Sequence, residues 1–158
     1  MMPLSPEATT QRRTFIKLAG VGLLTVLAVS AGGMALAADT GPVKVVYHMV
    51  DGIDQAGRGL ANIRNHLRDA PDTKIVVVAH GEGVNFLLEG ARERNGRAFD
   101  SQIAALASQG VEFRVCRNTL TAREISPSKV AMEAQVVPAG VVEIARLQAR
   151  EGFVYLRP

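Results

Sequence analysis

"KIVVVAH" (residues 74–80) is a run of β-branched residues that is long enough for one strand and too short for a helix. Its hydrophobicity is nearly continuous rather than alternating, which is typical of a strand covered on both faces. "VKVVYHMV" (43–50) has the same character, and three shorter candidates follow at 111–116, 134–138 and 153–157. The sequence therefore predicts about five strands.

Segments of helical period separate these strands. Between the first two strands, four apolar residues recur at steps of four, three and four: Ala56, Leu60, Ile63 and Leu67. Similar segments predict helices over 83–94, 99–110 and 140–152, and residues 119–130 favour one helical turn at most. Strands that alternate with helices indicate a parallel sheet. We therefore expect an α/β fold, a three-layer α/β/α sandwich of the flavodoxin-like type with mostly parallel strands.

The first 38 residues have the pattern of an export signal. "QRRTFIK" contains Arg12 and Arg13, an apolar stretch follows over about 18–36, and a small-residue A-x-A site ends at Ala37. The arginine pair, followed by Phe-Ile-Lys, is the pattern of a twin-arginine signal.

We expect residues 1–38 to be cleaved and residues 39–158 to form a single domain in the periplasm. The alternative is an uncleaved signal that anchors the protein, because an apolar stretch of about 20 residues can span a bilayer. The glycines in this stretch make it only mildly hydrophobic, which favours cleavage. With cleavage, the protein meets the membrane only transiently, through its signal.

The charge of the chain gives little support for nucleic-acid binding. The net charge at pH 7 is +3, but Arg12, Arg13 and Lys17 belong to the export signal. Without these three and Glu7, 15 basic and 14 acidic residues remain, which leaves a net charge of about +1. The sequence has no basic stripe with interleaved aromatic residues, so we predict no nucleic-acid partner.

Three residues of types that often catalyse reactions or bind ligands fall at the carboxyl ends of predicted strands. His48 lies near the end of the first strand, His80 ends the second, and Cys116 ends the third. In open parallel sheets these ends share one edge, and ligands bind there. We therefore expect the three side chains on one rim of the sheet.

Cys116 is the only cysteine, and the residues around it leave two interpretations open. It is either a small buried structural residue or a reactive thiol. For the second, Arg117 and an N-cap at Asn118 or Thr119 would put positive charge near the sulfur, and Arg123 could lean back over it. A single cysteine excludes an intramolecular dithiol mechanism.

Cofactor motifs are weak. His48, His80 and Cys116 could together bind a soft metal, but their spacing fixes no metal geometry. "HGEG" (80–83) lacks the third glycine of a dinucleotide-binding motif. We therefore predict neither a metal nor another cofactor.

Three stretches carry a resemblance to a known family: "VVVAHGEGVNFLL" (76–88), "GVEFRVCRNTL" (110–120) and "GVVEIARLQAREGFVYLRP" (140–158). With them, residues 43–158 resemble the DsrE/DsrF-like family of sulfur-relay proteins. The resemblance implies a compact α/β sandwich that assembles into homo- or hetero-oligomers, commonly trimers or hexamers. In well-understood members a cysteine after the third strand carries sulfur as a persulfide, and Cys116 falls at a matching position.

The resemblance implies a sulfur-relay protein in which Cys116 accepts sulfane sulfur and passes it on, and the export signal leads us to expect it in the periplasm, although family members with established sulfur transfer act in the cytoplasm. The supporting residues would be His48, His80, Arg117, Asn118 and Arg123. Its partners would be copies of itself, in a homotrimer or homohexamer, and a sulfur donor or acceptor protein. Such a carrier performs a sulfurtransferase-like half-reaction, so its status as an enzyme stays open. The alternative is a non-enzymatic small-ligand-binding or assembly module with a structural cysteine.

Overall fold

Five parallel strands form one sheet in the computed structural model, which describes residues 41–158. The strands are β1 (Lys44–Met49), β2 (Lys74–Ala79), β3 (Glu112–Cys116), β4 (Ala134–Val137) and β5 (Val154–Leu156). Their order across the sheet is β4-β3-β2-β1-β5, and every neighbouring pair is parallel. The sheet confirms the predicted α/β class. The predicted export signal, residues 1–38, lies outside the described residues.

Helices connect the strands throughout the described part of the chain. They are α1 (Ile53–Asp69), α2 (Phe99–Ala107), α3 (Arg117–Ala122) and α4 (Gly140–Glu151), with 3₁₀ helices at Gly81–Leu87 and Pro127–Lys129. The apolar stripe predicted for α1 is buried in the structure. Between residues 41 and 158, no helix has the length and apolar character needed to cross a membrane.

The α-helix predicted over 83–94 is wrong. The chain forms the 3₁₀ helix Gly81–Leu87 instead and becomes extended at Leu88, with φ −91° and ψ 144°. Gly90 then adopts a left-handed φ of 75°. Glycine has a low helix propensity, and Gly81 and Gly83 both fall in the first three residues of the 3₁₀ helix. Instead of continuing a helix, Leu88 forms an isolated antiparallel β-bridge with Val130.

The two faces of the sheet differ in what covers them. Side chains of the odd-numbered residues of β1, β2 and β3 pack in the main core against α1, α2 and the first 3₁₀ helix. A smaller core lies on the other face under α4: Val46, Val76, Val78, Ile144, Leu147 and Phe153. Because His48, Arg114 and Cys116 are even-numbered, they lie on the α4 face, where the smaller core leaves room for polar side chains.

Candidate functional site

The carboxyl ends of β1, β2 and β3 form a rim beneath the start of α4. Ala79 pairs with Val115 in parallel register, so the residues that follow them, His80 and Cys116, lie side by side. His48 reaches the same place from β1, and its Nε2 atom lies 2.6 Å from that of His80. The structure therefore brings together the three residues that the sequence placed at this rim.

Gly140, the first residue of α4, packs directly onto the rim. A Cβ atom on Gly140 would lie 3.1 Å from the Cβ of His80 and 3.3 Å from the Cβ of Cys116. Both distances are tighter than ordinary van der Waals contact, so the missing side chain lets the helix approach this closely. Sequence reasoning did not single out Gly140. The available signal was a glycine that opens a helix directly after a strand.

Cys116 lies at the junction where β3 ends and α3 begins, and it is a free thiol with only 5% of its surface exposed. Burial by itself raises the pKa of this thiol. Hydrogen bonds from the backbone of Gly140, from the Thr119 hydroxyl and from the backbone N–H groups of Thr119 and Asn118 act in the opposite direction. They bring the pKa of Cys116 below its ordinary value. The sulfur is therefore surrounded by donors that favour a thiolate.

Thr119 is held in the orientation that this role requires. The backbone N–H of Gly81 donates to the Thr119 Oγ1 atom at 3.0 Å. Because that bond uses the oxygen as an acceptor, the hydroxyl hydrogen remains free to point at Cys116. The predicted N-cap at Asn118 or Thr119 is wrong, since α3 begins at Arg117 and Cys116 occupies the N-cap position without a side-chain cap.

The two histidines form a hydrogen-bonded chain with Tyr155. The Nδ1 atom of His48 lies 2.7 Å from the Tyr155 hydroxyl, and the imidazole rings of His48 and His80 stack with centroids 4.7 Å apart. Burial first, and then the neighbouring charges of His80 and Arg157, lower the pKa of His48 to about 4, although Asp51 acts in the opposite direction. Burial and Arg157 also lower the pKa of His80. Both rings are therefore neutral near pH 7, so one Nε2 donates and the other accepts.

Gln55 fixes the chain that leaves β1. Its side chain is buried in α1, and its Oε1 atom accepts from the backbone N–H groups of Val50 at 2.7 Å and Asp51 at 2.8 Å. Its Nε2 atom donates to the carbonyl of His48 at 3.2 Å. Sequence reasoning missed Gln55, because a glutamine beside an apolar helix stripe has no feature that distinguishes it from a surface residue.

The two arginines predicted beside the thiol have other surroundings. Arg117 is exposed at the start of α3. Arg123 donates from Nη1 to the carbonyl of Gly81 at 3.2 Å, and the same atom lies 3.9 Å from the Glu82 carboxylate. Neither arginine is among the groups that lower the pKa of Cys116. The structure thus brings Arg123 to the loop after β2 rather than over the sulfur.

Metal binding has no support in this geometry. Across residues 41–158, no group of three or more His, Cys, Asp or Glu side chains is arranged to hold a metal ion. The Nε2 atoms of His48 and His80 are occupied by their contact with each other. The rim is therefore better described as a thiol beside two neutral imidazoles.

Comparisons with known proteins agree with this fold. The model of the DsrE/DsrF-like family matches residues 35–157. The structure of MTH1491, a protein of unknown function from Methanobacterium thermoautotrophicum, is 32% identical over 73% of this chain and 99% of that chain, with a TM-score of 0.65. The ychN protein from E. coli is 15% identical over 75% of this chain and 99% of that chain, with a TM-score of 0.60, and shares the fold. No curated protein matches the chain.

Proposed function

Because this chain belongs to the DsrE/DsrF-like family, we propose that it acts in sulfur relay and carries sulfane sulfur as a persulfide on Cys116. The observation that carries the proposal is the packing around the sulfur: Gly140 lies against Cys116, Gly81 holds the Thr119 hydroxyl, and donors from Gly140, Thr119 and Asn118 lower the thiol pKa. A cysteine buried only among apolar groups has a raised pKa and is inert, whereas a thiolate is the nucleophile in sulfur chemistry. The local geometry therefore favours a reactive thiol.

The proposed loading step balances without an oxidant. The Cys116 thiolate attacks the sulfane sulfur of a donor such as thiosulfate and forms a new S–S bond. The old S–S bond breaks, and sulfite leaves with its electron pair. In the delivery step a thiolate of an acceptor attacks the outer sulfur, and Cys116 is released as a thiolate. The protein is then a sulfurtransferase-like carrier that is regenerated in each cycle.

We assign supporting roles to the other residues of the rim. His80 is the titratable side chain beside Cys116, and as a neutral imidazole it can accept the proton that the thiol loses. His48 holds the His80 ring through their Nε2 contact. Arg117 and Asn118 are exposed next to the thiol and are available to a docking partner or to the anionic end of a sulfur donor. Arg123 steadies the loop at Gly81.

One observation favours the second candidate, an assembly or ligand-binding module with a structural cysteine. Only 5% of the surface of Cys116 is exposed, which limits access to a donor. On this alternative, a thiol reagent labels native Cys116 slowly and labels the unfolded chain fast. On the sulfur-relay proposal, native labelling is fast and depends on pH.

Intact mass spectrometry tests the sulfur-relay proposal directly. The reduced protein is incubated with thiosulfate or polysulfide, and we expect a gain of one or more sulfur atoms that dithiothreitol removes. Cys116→Ser is the matched control, because it changes one atom of the only cysteine in the chain. A protein that gains no sulfur, or a Cys116→Ser variant that gains as much, contradicts the proposal.

Export is a separate proposal, which rests on the sequence of residues 1–38. We propose that Arg12 and Arg13 direct the protein to twin-arginine export and that it works in the periplasm. Replacement of both by lysine keeps the charge and removes the recognition pattern. We expect the paired Arg12→Lys, Arg13→Lys variant to stay in the cytoplasm in cell fractionation, and equal periplasmic amounts of both proteins would contradict the proposal.

Assembly into a homotrimer or homohexamer is the third part of the proposal. Exposed apolar side chains on α4 support it, because Val141 and Val142 are 61% and 63% exposed. Light scattering on the purified protein gives the mass of the assembly. We expect Val142→Glu to reduce that mass, whereas a monomeric wild-type protein would contradict this part.

A further inference from the structure

Two contacts, one above the other, join β3 to the first turn of α4. At the rim, Cys116 meets Gly140. Two residues earlier on the same face of β3, the guanidinium of Arg114 forms an ion pair with the carboxylate of Glu143, three residues after Gly140. Because one helical turn separates Gly140 from Glu143, the thiol and the ion pair hold the same turn of α4.

The ion pair is largely but not fully buried, and it is part of a larger network. The side chains of Arg114 and Glu143 are each only 12% exposed. Arg114 also contacts Glu112 at 2.6 Å, and Glu143 accepts from Arg146 at 2.8 Å. The Glu143 carboxylate is thus held from below by the sheet and from the side by its own helix.

Stability is a poor explanation for this pair. The Nε atom of Arg114 is buried without a hydrogen-bond partner among the described residues. A buried ion pair whose hydrogen bonds are incomplete contributes little net stability, and an apolar pair of similar size often does as well. What the ion pair adds is direction, because a guanidinium and a carboxylate bind in a defined orientation.

We infer that Arg114 and Glu143 are positioning residues, which hold the first turn of α4 against the rim so that Gly140 and its backbone N–H stay packed beside Cys116. This inference rests on the proposed function, since the position of that N–H matters only if Cys116 works as a thiolate. Neither residue needs to touch the sulfur donor.

Charge alone predicts the opposite effect from positioning. The charged and titratable groups on the elements around Cys116 are His48 of β1, His80 directly after β2, Arg117 of α3, Glu143 of α4 and Arg114 of β3 itself. If Glu143 acted only through its negative charge, its removal would stabilise the thiolate and lower the thiol pKa. If Glu143 positions α4, its removal weakens the Gly140 hydrogen bond and raises the thiol pKa. The sign of the change in the thiol pKa therefore distinguishes a positioning role of Glu143 from an effect of its charge alone.

The test compares Glu143→Gln with Glu151→Gln in the full chain. Both variants replace a glutamate of α4 that pairs with Arg146, but only Glu143 contacts Arg114. The rate of Cys116 alkylation is measured against pH. We expect Glu143→Gln to raise the thiol pKa by about one unit, which slows alkylation about tenfold at a pH below both midpoints. We expect Glu151→Gln to match the wild type.

A Glu143→Gln midpoint equal to that of the wild type, or below it, overturns the inference. Should Glu143→Gln fail to fold, Glu143→Asp is used, because it keeps the charge but shortens the side chain, and the midpoint is again expected to rise. Failure of the proposed function looks different. In that case the wild-type protein itself has an ordinary thiol pKa and takes up no sulfur from thiosulfate, whatever the variants do.

Discussion

His48, in β1, and His80, directly after the neighbouring strand β2, meet through their Nε2 atoms at 2.6 Å. Such a contact needs one protonated and one unprotonated nitrogen, so it exists only while at least one ring is neutral. Burial lowers the pKa of both rings, that of His48 to about 4. The pair is therefore a neutral, hydrogen-bonded unit at the pH of most compartments, and it lies beside the only thiol of the chain.

Stability should fall with acid because of this pair. The unfolded chain takes up a proton at His48 near its ordinary pKa of 6.5, whereas the folded chain resists protonation until about pH 4. The contribution of His48 to the free energy of unfolding is therefore fully present above about pH 6.5 and is lost as the pH falls towards 4. We expect urea unfolding midpoints to decline over this range and to decline less in His48→Gln. His66→Gln, in α1, is the control. If the urea midpoint of His48→Gln declined with pH as steeply as that of the wild type, the pair would not be the source of the acid sensitivity.

Gln55→Ala should destabilise the fold more than an ordinary surface change. The substitution leaves the backbone N–H groups of Val50 and Asp51 without their acceptor. A buried donor that loses its partner costs about 1–3 kcal/mol, and because Val50 is only partly buried and Asp51 is exposed, we expect a loss of about 1 kcal/mol in the free energy of unfolding. Gln109→Ala, which removes an exposed glutamine, should change it by less than about 0.5 kcal/mol. Equal effects would show that the buried hydrogen bonds of Gln55 are unimportant.

Gly140→Ala should damage the site even though alanine favours helices. The new Cβ would lie 3.1 Å from His80 and 3.3 Å from Cys116, so the helix must move outwards. We expect a loss of about 1–3 kcal/mol in the free energy of unfolding and a higher thiol pKa. Gly57→Ala is the matched control in α1, because its new Cβ would meet Glu93 at an ordinary 3.8 Å. That variant should be as stable as the wild type or gain up to about 1 kcal/mol.

Thr119→Val should reveal how much the Thr119 hydroxyl alone contributes to the pKa of Cys116. Valine keeps the shape of threonine but removes the hydroxyl that donates to Cys116 and accepts from Gly81. We expect a higher thiol pKa and slower alkylation below the midpoint. Thr121→Val, on the same helix and exposed, should behave as the wild type. A lower or unchanged midpoint in Thr119→Val would show that the Thr119 hydroxyl does not lower the pKa of Cys116.

The strands of the core could be predicted because the apolar pattern of each strand is visible within its own few residues. "KIVVVAH" and "VKVVYHMV" gave β2 and β1, and parallel strands then placed His48, His80 and Cys116 at one edge. Strand order could not be predicted in this way. β5 lies at the edge beside β1 with all three of its residues exposed, although its sequence is as apolar as that of a central strand.

The immediate surroundings of the thiol could not be predicted, because they come from segments distant in sequence. Gly140 donates from α4, 24 positions after Cys116. Gly81, from the loop after β2, orients Thr119. Local reasoning favoured Arg117, Arg123 and an N-cap as the sources of positive potential. The structure replaces them with backbone N–H groups and one hydroxyl, which act only once the strands have brought three segments together.

The alkylation rate of native wild-type Cys116 as a function of pH tests the central claim most directly. We expect labelling to be complete in the folded protein and to follow a titration whose midpoint lies below that of the free thiol in the unfolded chain. The thiosulfate-treated protein should resist the same reagent until it is reduced. A native midpoint equal to the unfolded one, or labelling that occurs only after unfolding, would contradict the account and leave Cys116 as a structural residue.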